Sequence, residues 1–202
     1  MYFKILFMKS VYPIVAIAAS FTLLSCNESG RGNDNNLNEE RNEAADESNT
    51  DKFAGKEQQD ADFVFEVVAS NYAEIKMAEL ANQRSRTAQI KEIAQMLLTD
   101  HTASLNELKT LAQAKAISVP VEETDASKRR LEKIAEESGE DFDKRWVSEM
   151  LDVHEQNIGK FEKRLEDTAD PELRAFINKS LPVLKQHRGH LVACEKSLEK
   201  NT

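Results

Sequence analysis

The chain has 202 residues, 36 of them acidic against 27 basic, and a formal net charge of −9. That balance disfavours a nucleic-acid partner, because the phosphate backbone is held by basic surfaces. Two cysteines, one of them in a leader-like context, leave no intrachain disulfide framework to consider.

The chain opens MYFKILFMKSVYPIVAIAASFTLLSC, with Lys4 and Lys9 ahead of a short apolar run from Val11 to Leu24 that Pro13 interrupts. Residues 1–25 therefore read as an export signal peptide and not as a membrane span. Leu23-Leu24-Ser25-Cys26 resembles the lipobox of bacterial lipoproteins, in which cleavage before the cysteine leaves its thiol diacylated. Two or three acyl chains make a lasting anchor where one is marginal. The expectation is a protein tethered by Cys26 to a membrane of the bacterial cell envelope, on its periplasmic side or at the cell surface, with the outer membrane favoured. Loss of a leader with two lysines and no acid takes the net charge from −9 to −11. Cys194 is then without a partner in its own chain and, lying on an apolar stripe, reads as a buried, inert thiol.

Residues 26–56 contain NESGRGNDNNLNEERNEAADESNTDKFAGK, rich in Asn, Glu and Asp with almost nothing to bury. They are expected to form a disordered polar tether holding the folded part roughly 30 Å from the bilayer. The globular domain is assigned to 57–202.

After Lys56 the apolar residues recur at helical spacing, with no alternating β-branched runs and no hairpin dipeptide. A first long helix, from about Gln58 to Arg84, has Asp60 and Asp62 near its start and a seam of Phe63, Val67, Ser70, Glu74, Met77 and Ala81. The second, from about Thr87 to Ala116, carries Ile90, Ala94, Leu97, His101, Leu105, Leu108 and Ala112, and Val119-Pro120 stops it. A short helix is expected in ETDASKRRLEKIAEES, with Gly139 as a breaker beyond it. The basic run SKRRLEK within it reads as a solvated face. The third long helix, about Asp141 to Thr168, carries Val147, Leu151, His154, Ile158, Phe161 and Leu165. The fourth opens at ADPEL, where Asp170 is placed to cap and Pro171 suits the first turn. Its seam is Leu173, Ile177, Ser180, Leu184, His187, Leu191, Cys194 and Leu198, and Pro182 lies inside it.

Short links within each helix pair and a long middle connection leave two topologies open, a bundle with one long crossover or an up-down-up-down bundle with a loose third loop.

Each long helix carries one polar residue on its seam: Glu74, His101, His154 and His187; His190 lies off it. Left without partners these groups would each cost about 1–3 kcal/mol to bury. Three imidazoles and a carboxylate suit zinc, iron or copper, with Asp100 or Glu155 as supporting partners. The other reading is a hydrogen-bonded layer that fixes helix register without a metal. One feature weakens convergence: counted from the turn near Ser85, Glu74 and His101 differ in depth by about 7 Å. Trp146 with Phe142, and Met77, Met96 and Met150, read as core packing. No glycine-rich phosphate loop, nucleophile elbow or Cys-x-x-Cys pair occurs.

DADFVFEVVASNYAEIKMAELA at 60–81, IKEIAQMLLTDHTASLNELKTLA at 90–112, FDKRWVSEMLDVH at 142–154 and LPVLKQH at 181–187 together resemble the domain-of-unknown-function family 4142 (DUF4142), often labelled an outer membrane protein and grouped with ferritin-like folds. The resemblance implies an all-α, ferritin-like four-helix bundle with a long crossover between helices two and three that carries a short extra helix. It implies no activity. Metal-loaded ferritin relatives use Glu-x-x-His, whereas Leu98, Leu151 and Leu184 stand three residues before the histidines here, which argues against di-iron chemistry. The sequence thus points to a non-enzymatic binding or stress-associated envelope module, with a metal-binding or redox protein holding a mononuclear site as the alternative.

Overall fold

The computed structural model describes residues 30–200; the leader and Cys26 lie outside them. Six helices follow one another: α1 Gly30–Lys52, α2 Gly55–Arg84, α3 Ala88–Ala114, α4 Asp125–Glu136, α5 Gly139–Asp167 and α6 Pro171–Lys200. No helix among the described residues is long and apolar enough to cross a membrane.

The four long helices and the short one expected from periodicity correspond to α2, α3, α5, α6 and α4. The local signals act as their chemistry requires. Asp170 Oδ1 accepts the Leu173 backbone N–H at 2.8 Å and so caps α6. Gly139 opens α5 at φ +59°, a conformation a side chain would strain, and this lets the chain turn directly from α4 into α5. α3 ends with Ala116 at φ 58°, and the Ile117 N–H returns to the Ala112 carbonyl at 2.9 Å. Asp60 proves not to be a first-turn acid, because α2 begins earlier, at Gly55. It instead accepts from Thr168 Oγ1 at 2.8 Å and lies 3.3 Å from Arg164 Nε, tying α2 to the end of α5.

Cross-helix contacts set the topology. The Phe63 and Phe161 rings are 5.0 Å apart, and Trp146 Nε1 donates to the Met77 carbonyl at 2.8 Å, so α2 and α5 run antiparallel. Glu107 meets Lys179, and Asp100 meets His187, so α3 and α6 are antiparallel as well. With α2/α3 and α5/α6 as hairpins, α5 must run in the same direction as α3. The segment between them therefore travels the length of the bundle. Lys115 sits beside Glu172 at one end (2.8 Å), and Arg84 donates to the carbonyls of Ala135 and Glu137 at the other. This is the ferritin-like crossover, and α4 lies within it.

α1 departs from the expected disordered tether. It has no apolar face, and its attachment is polar, made chiefly by asparagines on one side with Ser48 and Lys52 at the Ser118 hydroxyl. Asn49 is fully buried; its amide donates to the Ser118 carbonyl and accepts from the Ser118 N–H, each at 2.8 Å. Asn42, seven residues earlier, accepts the Val121 N–H at 2.8 Å, and Asn38 donates to Glu122 at 3.0 Å. The extended start of the crossover has backbone groups with no ladder to join, and Asn49 and Asn42 supply the partners. Low hydrophobicity alone did not reveal that function.

The apolar interior falls into two clusters. One, nearer the Ser85 and Gly139 end, contains Met77, Ile90, Leu97, Trp146, Met150, Leu191 and Cys194. The other contains Phe63, Val67, Leu108, Phe161, Leu173 and Ile177. Each fully buried side chain such as Leu97 or Ile177 contributes about 1.5–3 kcal/mol. Burial pushes the Cys194 thiol up to about 11, so it stays protonated and unreactive.

Candidate metal centre

Between those clusters lies a polar layer, one side chain from each long helix. Glu74, His101, His154 and His187 are 1%, 4%, 0% and 1% exposed. The expected depth offset between Glu74 and His101 does not separate them: Oε2 and Nε2 are 3.1 Å apart. The extended link between Arg84 and Ala88 takes up part of the difference, and the longer Glu side chain spans the remainder. The three imidazole rings are mutually 5.4–5.5 Å apart between centroids. His190 is on the exposed side of α6.

The outer atoms of this layer determine what its inner atoms are. Asn71 Nδ2 donates to the Val67 carbonyl at 2.8 Å, so Oδ1 is the atom facing His101 Nδ1 at 3.0 Å and can only accept from it. His154 Nδ1 donates to the Met150 carbonyl at 2.9 Å. His187 Nε2 donates to Asp100 Oδ2 at 2.9 Å. Each imidazole thus spends its one N–H on an acceptor outside the centre, and each remaining nitrogen, His101 Nε2, His154 Nε2 and His187 Nδ1, turns a lone pair inward. Glu74 lies beside this group: its Oε1 accepts from Ser70 Oγ at 3.0 Å and from Asn157 Nδ2 at 2.9 Å, which leaves Oε2 between His101 Nε2 at 3.1 Å and His154 Nδ1 at 3.4 Å.

Neutral rings are what burial favours. His101 is held well below the ordinary imidazole range by burial and then by the neighbouring His154 and His187. His154 and His187 are lowered by burial too, against the opposing pull of Glu74 on the first and Asp100 on the second. Burial raises the Glu74 carboxyl, opposed by His154, Ser70 and Asn157.

A set of inward lone pairs is a poor structural layer and a good ligand set. His154 Nε2 and His187 Nδ1 face one another at 3.3 Å with no proton left to share, and His101 Nε2 and Glu74 Oε2, although close, make no hydrogen bond at all. Two nitrogens bound to one ion at 2.0–2.1 Å stand about 3.3 Å apart in a tetrahedral site and about 2.9 Å apart as neighbours in a tetragonal one. One ring nitrogen from each of the three histidines lies within 4.8 Å of the others, so the widest pair needs to close by about 1.5–1.9 Å at most.

Asp100 accepts from His187 on α6 and not from its own neighbour His101. Glu155 faces away from the layer. One residue beyond His154, it is rotated about 100° round the helix to the exposed side, where Arg188 pairs with it at 2.8 Å. Sequence reasoning missed Asn71 and Asn157. Each sits three residues from a seam residue, Glu74 and His154 respectively, a spacing that puts them on the same face. Leu151 and Leu184, at positions where a di-iron protein would carry Glu, are buried and apolar, and Leu98 is partly buried against the core.

Fold and layer together define a ferritin-like helical bundle with a buried constellation of three histidines and one carboxylate. The chain belongs to the family described as "Domain of unknown function (DUF4142)", whose model matches residues 43–193. That range reaches back into α1 and includes Asn49. A solved structure described as "CopM in the Cu(II)-bound form" is similar over 68% of this chain and 96% of that one, at 18% identity and a TM-score of 0.59, which shows a shared fold. No curated protein is similar enough to the chain to match it.

Proposed function

We propose that this protein is a metal-binding helical module that holds one divalent transition-metal ion, copper(II) foremost, in its interior. His101 Nε2, His154 Nε2 and His187 Nδ1 are the converged ligands, Glu74 Oε2, 3.1 Å from His101 Nε2 and 3.4 Å from His154 Nδ1, swings in as the fourth, and Asn71, the Met150 carbonyl and Asp100 keep the rings turned inward. The observation that carries this reading is the convergence of inward lone pairs, two of them on buried atoms without a hydrogen-bond partner. Imidazole and carboxylate donors without sulfur suit copper(II) and zinc over copper(I), and copper(II) binds such sites most tightly of the divalent first-row ions. The fold shared with a protein described in its Cu(II)-bound form supports the same choice. A bound ion would supply a fixed positive charge that satisfies all four donors, and its retention, not a reaction, is the function. In this reading the acylated Cys26 fixes the module to the outer membrane, so that it withdraws metal ions from the envelope under stress.

The test is elemental analysis of protein purified without a histidine tag, followed by competition titration with copper(II) and zinc. One equivalent of copper with a dissociation constant below about 1 μM is expected, weakened about a hundredfold in His154→Ala. No binding at micromolar concentration would leave only a register-fixing layer. Mass spectrometry of the mature N-terminus, and release of a Cys26→Ala variant from membranes, test the anchor.

A further inference from the structure

The four donors do not close the centre on every side. α1 and α4 pack on the α2 and α5 side of the bundle. Between α3 and α6 a cavity of about 150 Å³ leads from Glu107 and Lys179, exposed residues paired at 2.7 Å, to Glu74, His101 and His187. It exists because the facing positions are small: Ala103 and Ser104 on α3 and Ser180 on α6 line it. Its inner walls include Val67, Phe161 and Leu184, so it is apolar along the sides and polar at the floor. Just beneath that floor lie Glu74 Oε2 and His101 Nε2, buried and without a hydrogen-bond partner.

We propose that this cavity is the binding site for a second, exogenous ligand of the metal: a small neutral or singly charged anionic nitrogen or oxygen donor, up to about the size of benzene. This inference rests on the metal reading above. An apolar cavity of about 150 Å³ accepts a benzene-sized guest. The donor atom of such a ligand takes a position on the ion from the cavity side, while its body lies against Val67, Phe161 and Leu184. A divalent ion beside one carboxylate carries one unit of positive charge, which a monoanion neutralises. Dianions are disfavoured, because Glu74 and Asp100 line the space and its one cation, Lys179, is paired with Glu107. Ligand exchange then takes place without unfolding the bundle.

The experiment uses the full mature chain loaded with one equivalent of copper(II), titrated with azide and separately with imidazole. Binding is followed by the azide-to-copper charge-transfer band and by the copper paramagnetic resonance spectrum. Each probe is expected to saturate at one equivalent. Ser180→Leu and Ala103→Leu, which fill the cavity from opposite walls, are expected to weaken both probes at least about tenfold while copper affinity stays within about twofold. Circular dichroism checks the fold of each, and either folded variant suffices. Absence of copper binding in the unaltered protein overturns the metal reading and this inference with it. Copper bound at one equivalent without a spectral response to either probe overturns the inference alone. Probe binding unchanged in a folded cavity-filled variant overturns the cavity as its location.

Discussion

Asp100 Oδ2 lies 2.9 Å from His187 Nε2, and by that one bond a partly exposed carboxylate on α3 selects which nitrogen of a buried α6 imidazole meets the centre. Removing the acceptor frees the ring to flip or to change tautomer. Asp100→Ala is expected to lower copper affinity about 10- to 100-fold, the usual effect of losing such a partner. The melting temperature of the metal-free protein should change little, since the carboxylate is 43% exposed and its loss leaves no cavity. Parallel titration and thermal scans check both halves.

A pH dependence follows from the buried rings. His101, His154 and His187 are all lowered from 6.5, so the unfolded chain takes up protons first as pH falls. Stability of the metal-free protein is therefore fully present above about pH 6.5 and declines below it, toward the folded values. Glu74, raised from 4.5, has the opposite sign: its contribution grows as pH falls toward its ordinary value. Three imidazoles outnumber one carboxyl, and the expected net result is a lower urea midpoint at pH 5.5 than at pH 7.5. An unchanged midpoint would contradict the neutral-ring description. Bound metal should also be released over the same interval, because protons compete for the same lone pairs.

Asn49 holds α1 through both polar atoms of its amide. Asn49→Ala removes the partners of the half-buried Ser118 N–H and carbonyl, a loss of about 1–2 kcal/mol. The effect should be local. Limited proteolysis is expected to cut within α1 and the 117–122 segment, while hydrogen exchange in the interior of α2 and α3 stays slow.

Ala116 has φ 58°, a left-handed conformation that costs a residue with a Cβ about 1–2 kcal/mol. Glycine adopts it freely but gives up more freedom on folding. Ala116→Gly is expected to raise stability by about 0.5–1 kcal/mol in urea unfolding, with metal affinity unchanged.

The helices were legible because burial leaves a period: Ile90, Ala94, Leu97, Leu105 and Leu108 could hardly be read otherwise, and a histidine at His101 stood out against them. Caps such as Asp170 were legible for the same local reason. α1 was not, because its attachment is made by amide groups bonded to backbone atoms some seventy to eighty residues away, and no local pattern records that. The candidate site was legible in its four principal residues, since each interrupts an apolar seam. Its supporting atoms were only half so. Asp100 and Glu155 each adjoin a histidine in sequence, yet Asp100 turns toward the α6 interface while Glu155 points outward to Arg188. Only the relative rotation of the helices separates the two cases.

The polar layer divides the interior into two greasy halves, with Trp146 in one and Phe161 in the other. Free of metal, the molecule is two cores stitched by a seam of neutral rings, and heating should loosen that waist before either half melts. An ion held there acts as a rivet, coupling the halves so that they open as one body. Calorimetry would show this as a broad, low-enthalpy transition that sharpens on loading, which turns the width of the melting peak into a gauge of occupancy.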